Sequence, residues 1–111
     1  MTVLKKSVGI LAFSMSSLFM CSSLLAEVHV VGQKDSAFTK EEITIKKGDS
    51  VDFLNQDSYF HNVFSLSDTK FFDLGSYPEG ESRNVVFEEA GDIVVECAIH
   101  SDMKMVIKVT E

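Results

Sequence analysis

The sequence predicts an all-β sandwich. Three observations predict it: apolar residues recur at period two, turn signals separate the short runs, and no mature segment repeats apolar positions at helical spacing. Val28, Val30 and Gly32 alternate with His29 and Val31 in a first strand. Ile43 and Ile45 alternate with Thr44 and Lys46 before the turn Lys47-Gly48-Asp49, and Val51, Phe53 and Asn55 then alternate with Asp52 and Leu54. Gln56-Asp57-Ser58 reads as a loop, and His61-Asn62-Val63-Phe64-Ser65 as a short strand. From Ser65 to Glu81 the pattern is irregular, with turn signals at Ser67-Asp68-Thr69, Leu74-Gly75-Ser76 and Tyr77-Pro78-Glu79-Gly80. Arg83 to Phe87 and Asp92 to Cys97 read as strands, and Lys104 to Thr110 closes the chain as a β-branched strand. Short strands with glycine-bearing turns and no repeat or linker point to one sandwich closed on its own core.

The opening residues set the compartment. Lys5 and Lys6 precede an almost uncharged run from Ser7 to Ala26, and the first acid, Glu27, follows directly. That order is a secretory signal peptide cleaved between Ala26 and Glu27, giving a signal peptide over residues 1–26 and a folded domain over residues 27–111. Leu24, three residues before the cut, is bulkier than such sites prefer, so a cut one or two residues away is the alternative. A retained anchor is the weaker reading, because serines dilute the apolar run and no second one follows; no integral span is expected after cleavage. Cys21 lacks the small residues of a lipid-attachment box before it, since Leu18-Phe19-Met20 are bulky.

Cleavage leaves a small domain, of a size that often depends on a disulfide, a metal or a partner for stability. Only one cysteine, Cys97, remains after residue 26, so an internal disulfide is excluded and an unpaired exported thiol calls for a reason. All 17 acids fall after residue 26, against 8 basic residues once Lys5 and Lys6 are taken from the ten. Nucleic-acid binding is excluded by that balance, because phosphate rewards the opposite sign. An acidic surface suits solubility, or steering toward a basic partner through groups such as Asp68, Asp73, Glu79 and Glu81.

The segment that carries chemistry is Cys97-Ala98-Ile99-His100-Ser101-Asp102-Met103, between two strands and so at one pole of the sandwich. A thiolate, an imidazole and a thioether within seven residues favour copper; two His and one Cys with a weak axial Met is an electron-transfer arrangement. The second imidazole must come from His29 or His61. His61 starts a strand after a loop and is therefore at an end of the sheet, whereas His29 lies among valines inside a strand. The side chain of Asn62 is placed to cross to the cysteine-bearing loop and fix the two ligand segments relative to each other. Zinc on Cys97, His61 and His100 would also satisfy softness but leaves Met103 without a role. Taken singly, a strand-end Cys is a buried small hydrophobe and Met103 a core residue.

His61-Asn62-Val63 together with Cys97-x-x-His100-x-x-Met103 resembles the small blue copper proteins, the cupredoxins, and within them the plastocyanin and amicyanin branch. The run from Phe72 to Ser82 is also similar to plastocyanin-like proteins, so the resemblance spans residues 27–111. It implies a Greek-key β-sandwich and a type 1 copper centre that cycles between Cu(I) and Cu(II). His61, Cys97, His100 and Met103 fall on the metal ligands, and Asn62 falls on the asparagine behind them. Ser101 stands where short loops of this kind carry proline, and Glu96 where many members have an aromatic. Met105 is the alternative axial ligand; strand parity does not separate it from Met103, and the short-loop resemblance favours Met103.

The expected function is periplasmic electron transfer, by a monomer exchanging electrons with redox proteins such as a cytochrome, a dehydrogenase or an oxidase. An enzyme is not expected, because no acid–base pair or substrate pocket accompanies the metal motif. The alternative is a copper-binding or copper-delivery protein in which the metal is cargo. Among Phe60, Phe64, Phe71, Phe72 and Tyr77, some are expected to shield His100 and form a docking patch, and the others to pack the core.

Overall fold

The computed structural model describes residues 25–111; most of the expected signal peptide lies outside the described residues. Nine strands follow: β1 Val28–Lys34, β2 Ala37–Phe38, β3 Glu42–Lys46, β4 Ser50–Asn55, β5 His61–Leu66, β6 Phe71–Tyr77, β7 Ser82–Val86, β8 Gly91–Cys97 and β9 Lys104–Thr110. They form two sheets, ordered β2-β1-β4-β7 and β3-β9-β8-β5-β6. This is an all-β Greek-key sandwich. The pairs β1–β4 and β3–β9 run parallel, and the rest run antiparallel.

Alternation gives each sheet one apolar face, and the two faces close on each other. Val51 and Phe53 of β4, Ile93 and Val95 of β8, and Met105 and Ile107 of β9 are all buried there. In β1 the parity differs from what its valines suggest. Val31 pairs with Phe53 and His29 with Val51, so Val31 faces the core while Val28 and Val30 point to solvent.

The second departure is β6, which falls inside the stretch that reads as irregular. It pairs only with β5, at the edge of its sheet, and the register slips between Asn62 and Phe64. Gly75 adopts φ 70°, and only Tyr77 of the seven residues is fully buried. An edge strand with a bulge and a largely exposed surface carries no clean alternation to read.

Phe72 and Tyr77 belong to the interior. The Phe72 ring packs 5.9 Å from Phe53 and 6.2 Å from Phe87. The Tyr77 hydroxyl donates to the Phe53 carbonyl at 2.9 Å and accepts from Gln33 Nε2 at 3.1 Å. Burial pushes that hydroxyl up to about 12, so it remains a neutral donor.

Candidate metal centre

Strand parity delivers the first two side chains. Ile93, Val95 and Cys97 share the inner face of β8, which makes Cys97 the last inward residue before the chain leaves the sheet. His61, Val63 and Ser65 share the inner face of β5, and Val63 is the residue opposite Cys97. His61 is therefore the diagonal neighbour of Cys97 on the same face. The loop after β8 folds back on itself: Met103 N donates to the His100 carbonyl at 3.0 Å, and Cys97 N donates to the Met103 carbonyl at 3.2 Å. That turn returns His100 over the sulfur.

His61 Nδ1 lies 3.6 Å from Cys97 Sγ, and His100 Nδ1 lies 4.0 Å from it. One donor atom from each of the three residues lies within 4.8 Å of the others, and this is the only such trio found among the described residues. The spacing fits an ion between them. Bonds of about 2.0 Å to nitrogen and about 2.3 Å to sulfur, spread at trigonal angles, put sulfur and nitrogen roughly 3.7 Å apart. His61 and Cys97 are buried and His100 is partly exposed, so one edge of the site meets solvent.

The far side of His61 is held by a residue that sequence reasoning passed over. Asp57 Oδ2 accepts from His61 Nε2 at 2.6 Å, which leaves Nδ1 as the nitrogen turned toward the sulfur. The same carboxylate accepts from the amides of Asp35 at 2.6 Å and Ser36 at 3.2 Å, in the two-residue turn between β1 and β2. Burial alone would raise the Asp57 carboxyl, but the His61 bond and these two amides hold it below the ordinary value. Asn55 braces the loop: its Oδ1 accepts from Asp57 N at 2.8 Å, and its Nδ2 donates to the carbonyls of Tyr59 and Tyr77, each at 2.9 Å. A carboxylate four residues before the histidine was the available signal for Asp57.

Tyr59 covers the site. Its ring centroid is 5.3 Å from that of His61 and 5.8 Å from that of His100, and its hydroxyl shares a 2.7 Å hydrogen bond with Ser36 Oγ. Phe60, which follows Tyr59 in the chain, and Ile99, which precedes His100, are each 54% exposed. Asn62 joins the two segments through its main chain, since its carbonyl accepts from Ala98 N at 2.9 Å; its side-chain Oδ1 is buried with no hydrogen-bond partner. Met103 and Met105 are both buried, at the entry to β9 and within it. His29 lies outside the trio, bonded through Nε2 to Asp49 Oδ2 at 3.0 Å.

A family model of copper-binding proteins, the plastocyanin/azurin family, matches residues 26–110. The chain belongs to that family. The solved structures it resembles share the fold. A purple cupredoxin from Nitrosopumilus maritimus aligns at a TM-score of 0.66 with 21% identity, over 74% of this chain and 99% of the other. Amicyanin from Paracoccus versutus aligns at 0.68 with 25% identity, over 79% and 86%. A copper-containing nitrite reductase from Thermus scotoductus aligns at 0.71 with 23% identity, over 96% of this chain but only a quarter of the reductase, 25%. No curated protein matches significantly by sequence. Family membership and the two-imidazole, one-thiol donor set agree on one copper ion as cofactor. Among the described residues no helix is long and apolar enough to cross a membrane.

Proposed function

We propose that this cupredoxin is a periplasmic one-electron carrier in which His61, Cys97, His100 and the Met103 sulfur would hold a type 1 copper. The convergence of His61 Nδ1, His100 Nδ1 and Cys97 Sγ carries the reading. A copper ion alternating between its +1 and +2 states supplies the one-electron chemistry. The protein's part is to keep the donors still. Asp57 fixes the tautomer and tilt of His61, and the sheet register between β5 and β8 fixes Cys97 against it. The Asn62–Ala98 bond ties the second ligand segment to the first. A site whose donors need not move between oxidation states exchanges electrons with little reorganisation.

Burial supports a carrier over copper delivery. Two of the three donors are buried and His100 is partly exposed, with the Tyr59 ring 5.8 Å from its own and Ile99, its neighbour in sequence, exposed. A partly exposed imidazole with an aromatic ring beside it suits brief docking of a redox protein, a cytochrome or a dehydrogenase, better than hand-over of the ion. The export signal in the first 26 residues supports the periplasm as compartment.

The test is the visible and electron spin resonance spectrum of the protein loaded with one equivalent of copper(II). The expected result is an intense sulfur-to-copper charge-transfer band with small copper hyperfine splitting. A weak band with ordinary splitting would overturn the carrier reading.

A further inference from the structure

We propose that the Ala26–Glu27 peptide bond is a processing site, and that its hydrolysis completes an ion pair between the new Glu27 α-ammonium and the carboxylate of Asp49. The proposal rests on the export reading but not on the metal.

Asp49 sits in the turn between β3 and β4 and is 5% exposed. Its Oδ1 accepts from Glu27 N at 2.9 Å, and its Oδ2 accepts from Lys46 N and His29 Nε2, each at 3.0 Å. Glu27 is held on its other side as well, its carbonyl accepting from Ser50 N at 3.0 Å. Just before it, Leu25 is 79% exposed. The nitrogen that cleavage at the expected position would free thus already rests on a buried carboxylate.

Hydrolysis by a signal peptidase adds one water across the amide. Its oxygen stays on Ala26 as a carboxylate, and its protons leave the Glu27 nitrogen as an ammonium. A neutral N–H donor to Asp49 becomes a charged one at the same position, and charge-assisted bonds are about twice as strong as neutral ones. Only this cut has that effect. A cut before Ala26 leaves Glu27 N a neutral amide, and a cut after Glu27 removes the donor. Of the neighbouring cuts that the bulky Leu24 leaves open, this one alone would set the new ammonium on Asp49.

The experiment has two parts, both on metal-free protein. The intact mass of chain recovered from the exported fraction is expected to correspond to residues 27–111. The melting temperature of that form is then compared with one that begins at Ala26. The Glu27 form is expected to melt higher by roughly 2–6 °C, and Asp49→Asn to abolish the gap. Should Asp49→Asn not fold, amide-type NMR of ¹⁵N-labelled Glu27 gives the same answer, because a paired α-ammonium exchanges slowly enough to be seen and a free one does not. A mass beginning at another residue, equal melting temperatures, or an unprotected ammonium would overturn the proposal. A protein that starts at Glu27 with the expected gap and yet binds no copper would sink the carrier reading alone.

Discussion

Asp57 and Asp49 stand beyond opposite ends of β4, and each gathers two backbone amides and one imidazole Nε2. Asp57 takes the amides of Asp35 and Ser36 and the ring of His61. Asp49 takes the amides of Glu27 and Lys46 and the ring of His29. The carboxylate–imidazole unit is the same, and what differs is the surroundings of the second ring nitrogen. His61 is fully buried with Nδ1 against Cys97 Sγ, whereas the His29 side chain is 30% exposed and lies outside the donor trio. A carboxylate can orient an imidazole anywhere in a fold. Strand register decides whether the oriented ring meets a sulfur, where it could serve as a ligand, or meets solvent and remains a brace.

The comparison breaks most completely at the sulfur. Cys97→Ser keeps the size of the side chain and both imidazoles but removes the only thiol after residue 26. The charge-transfer colour of the copper-loaded protein is expected to vanish, as read by visible absorption. Colour that survives would mean that Cys97 is not the sulfur donor, and the contrast between the two histidines would then rest on burial alone.

Asp57→Asn tests the orienting carboxylate at the same pole. The change removes the negative charge facing His61 Nε2, and the loss of such a partner typically lowers metal affinity by about 10–100-fold. A competition titration with copper measures it. An unchanged affinity would reduce Asp57 to a brace for the turn between β1 and β2, the role Asp49 has for the chain's first strand.

At the other pole the expected effect is on stability and not on the metal. Asp49 is held down to about 2, first by the Glu27 amide, then by His29 and by the Lys46 amide. Its folded value lies below its unfolded one, so it stabilises the fold above about pH 4 and the contribution is lost as pH falls toward 2. Asp49→Asn is expected to lower stability at neutral pH by about 1–3 kcal/mol, the usual effect of leaving buried donors badly paired. Acid melts should then lose part of their slope between pH 4 and 2, while the copper spectrum stays as it was. A spectrum that changed would mean the two poles are coupled through β4.

The two halves of this contrast were unequally legible in the sequence. The strands β4, β8 and β9 could be read because both their faces differ in polarity, and the same alternation carried Cys97 to the inner face. His61 could be preferred over His29 because it opens a strand. Asp57 was only half legible: its place four residues before His61 was a signal. Its other partners are the amides of Asp35 and Ser36, more than 20 residues away, and backbone donors leave no trace in residue type. Tyr59 was hidden for a related reason: it lies over the two imidazoles because Asn55 holds its carbonyl, a contact set by loop shape. The edge strand β6 stayed invisible because a bulge and solvent on most of its residues erase the alternation.

The smallest effect is expected in the turn that Asp57 holds. Asp35 and Ser36 form a two-residue hairpin loop with φ of 56° and 59°, the type I′ conformation that favours glycine at its second position. Ser36→Gly relieves a left-handed strain of about 1 kcal/mol and adds a backbone entropy cost of about 0.5–1 kcal/mol. It also removes the exposed hydrogen bond to the Tyr59 hydroxyl, which is worth about 0.5 kcal/mol or less in water. These terms nearly cancel, so denaturant melts should shift by less than about 1 kcal/mol. Because Asp57 accepts from the Ser36 amide and not from its side chain, His61 should remain oriented and copper affinity unchanged. A larger loss of stability, or weaker copper binding, would show that the Ser36–Tyr59 bond helps hold the cover over the two imidazoles, and that the site pole depends on this turn more than Asp57 alone requires.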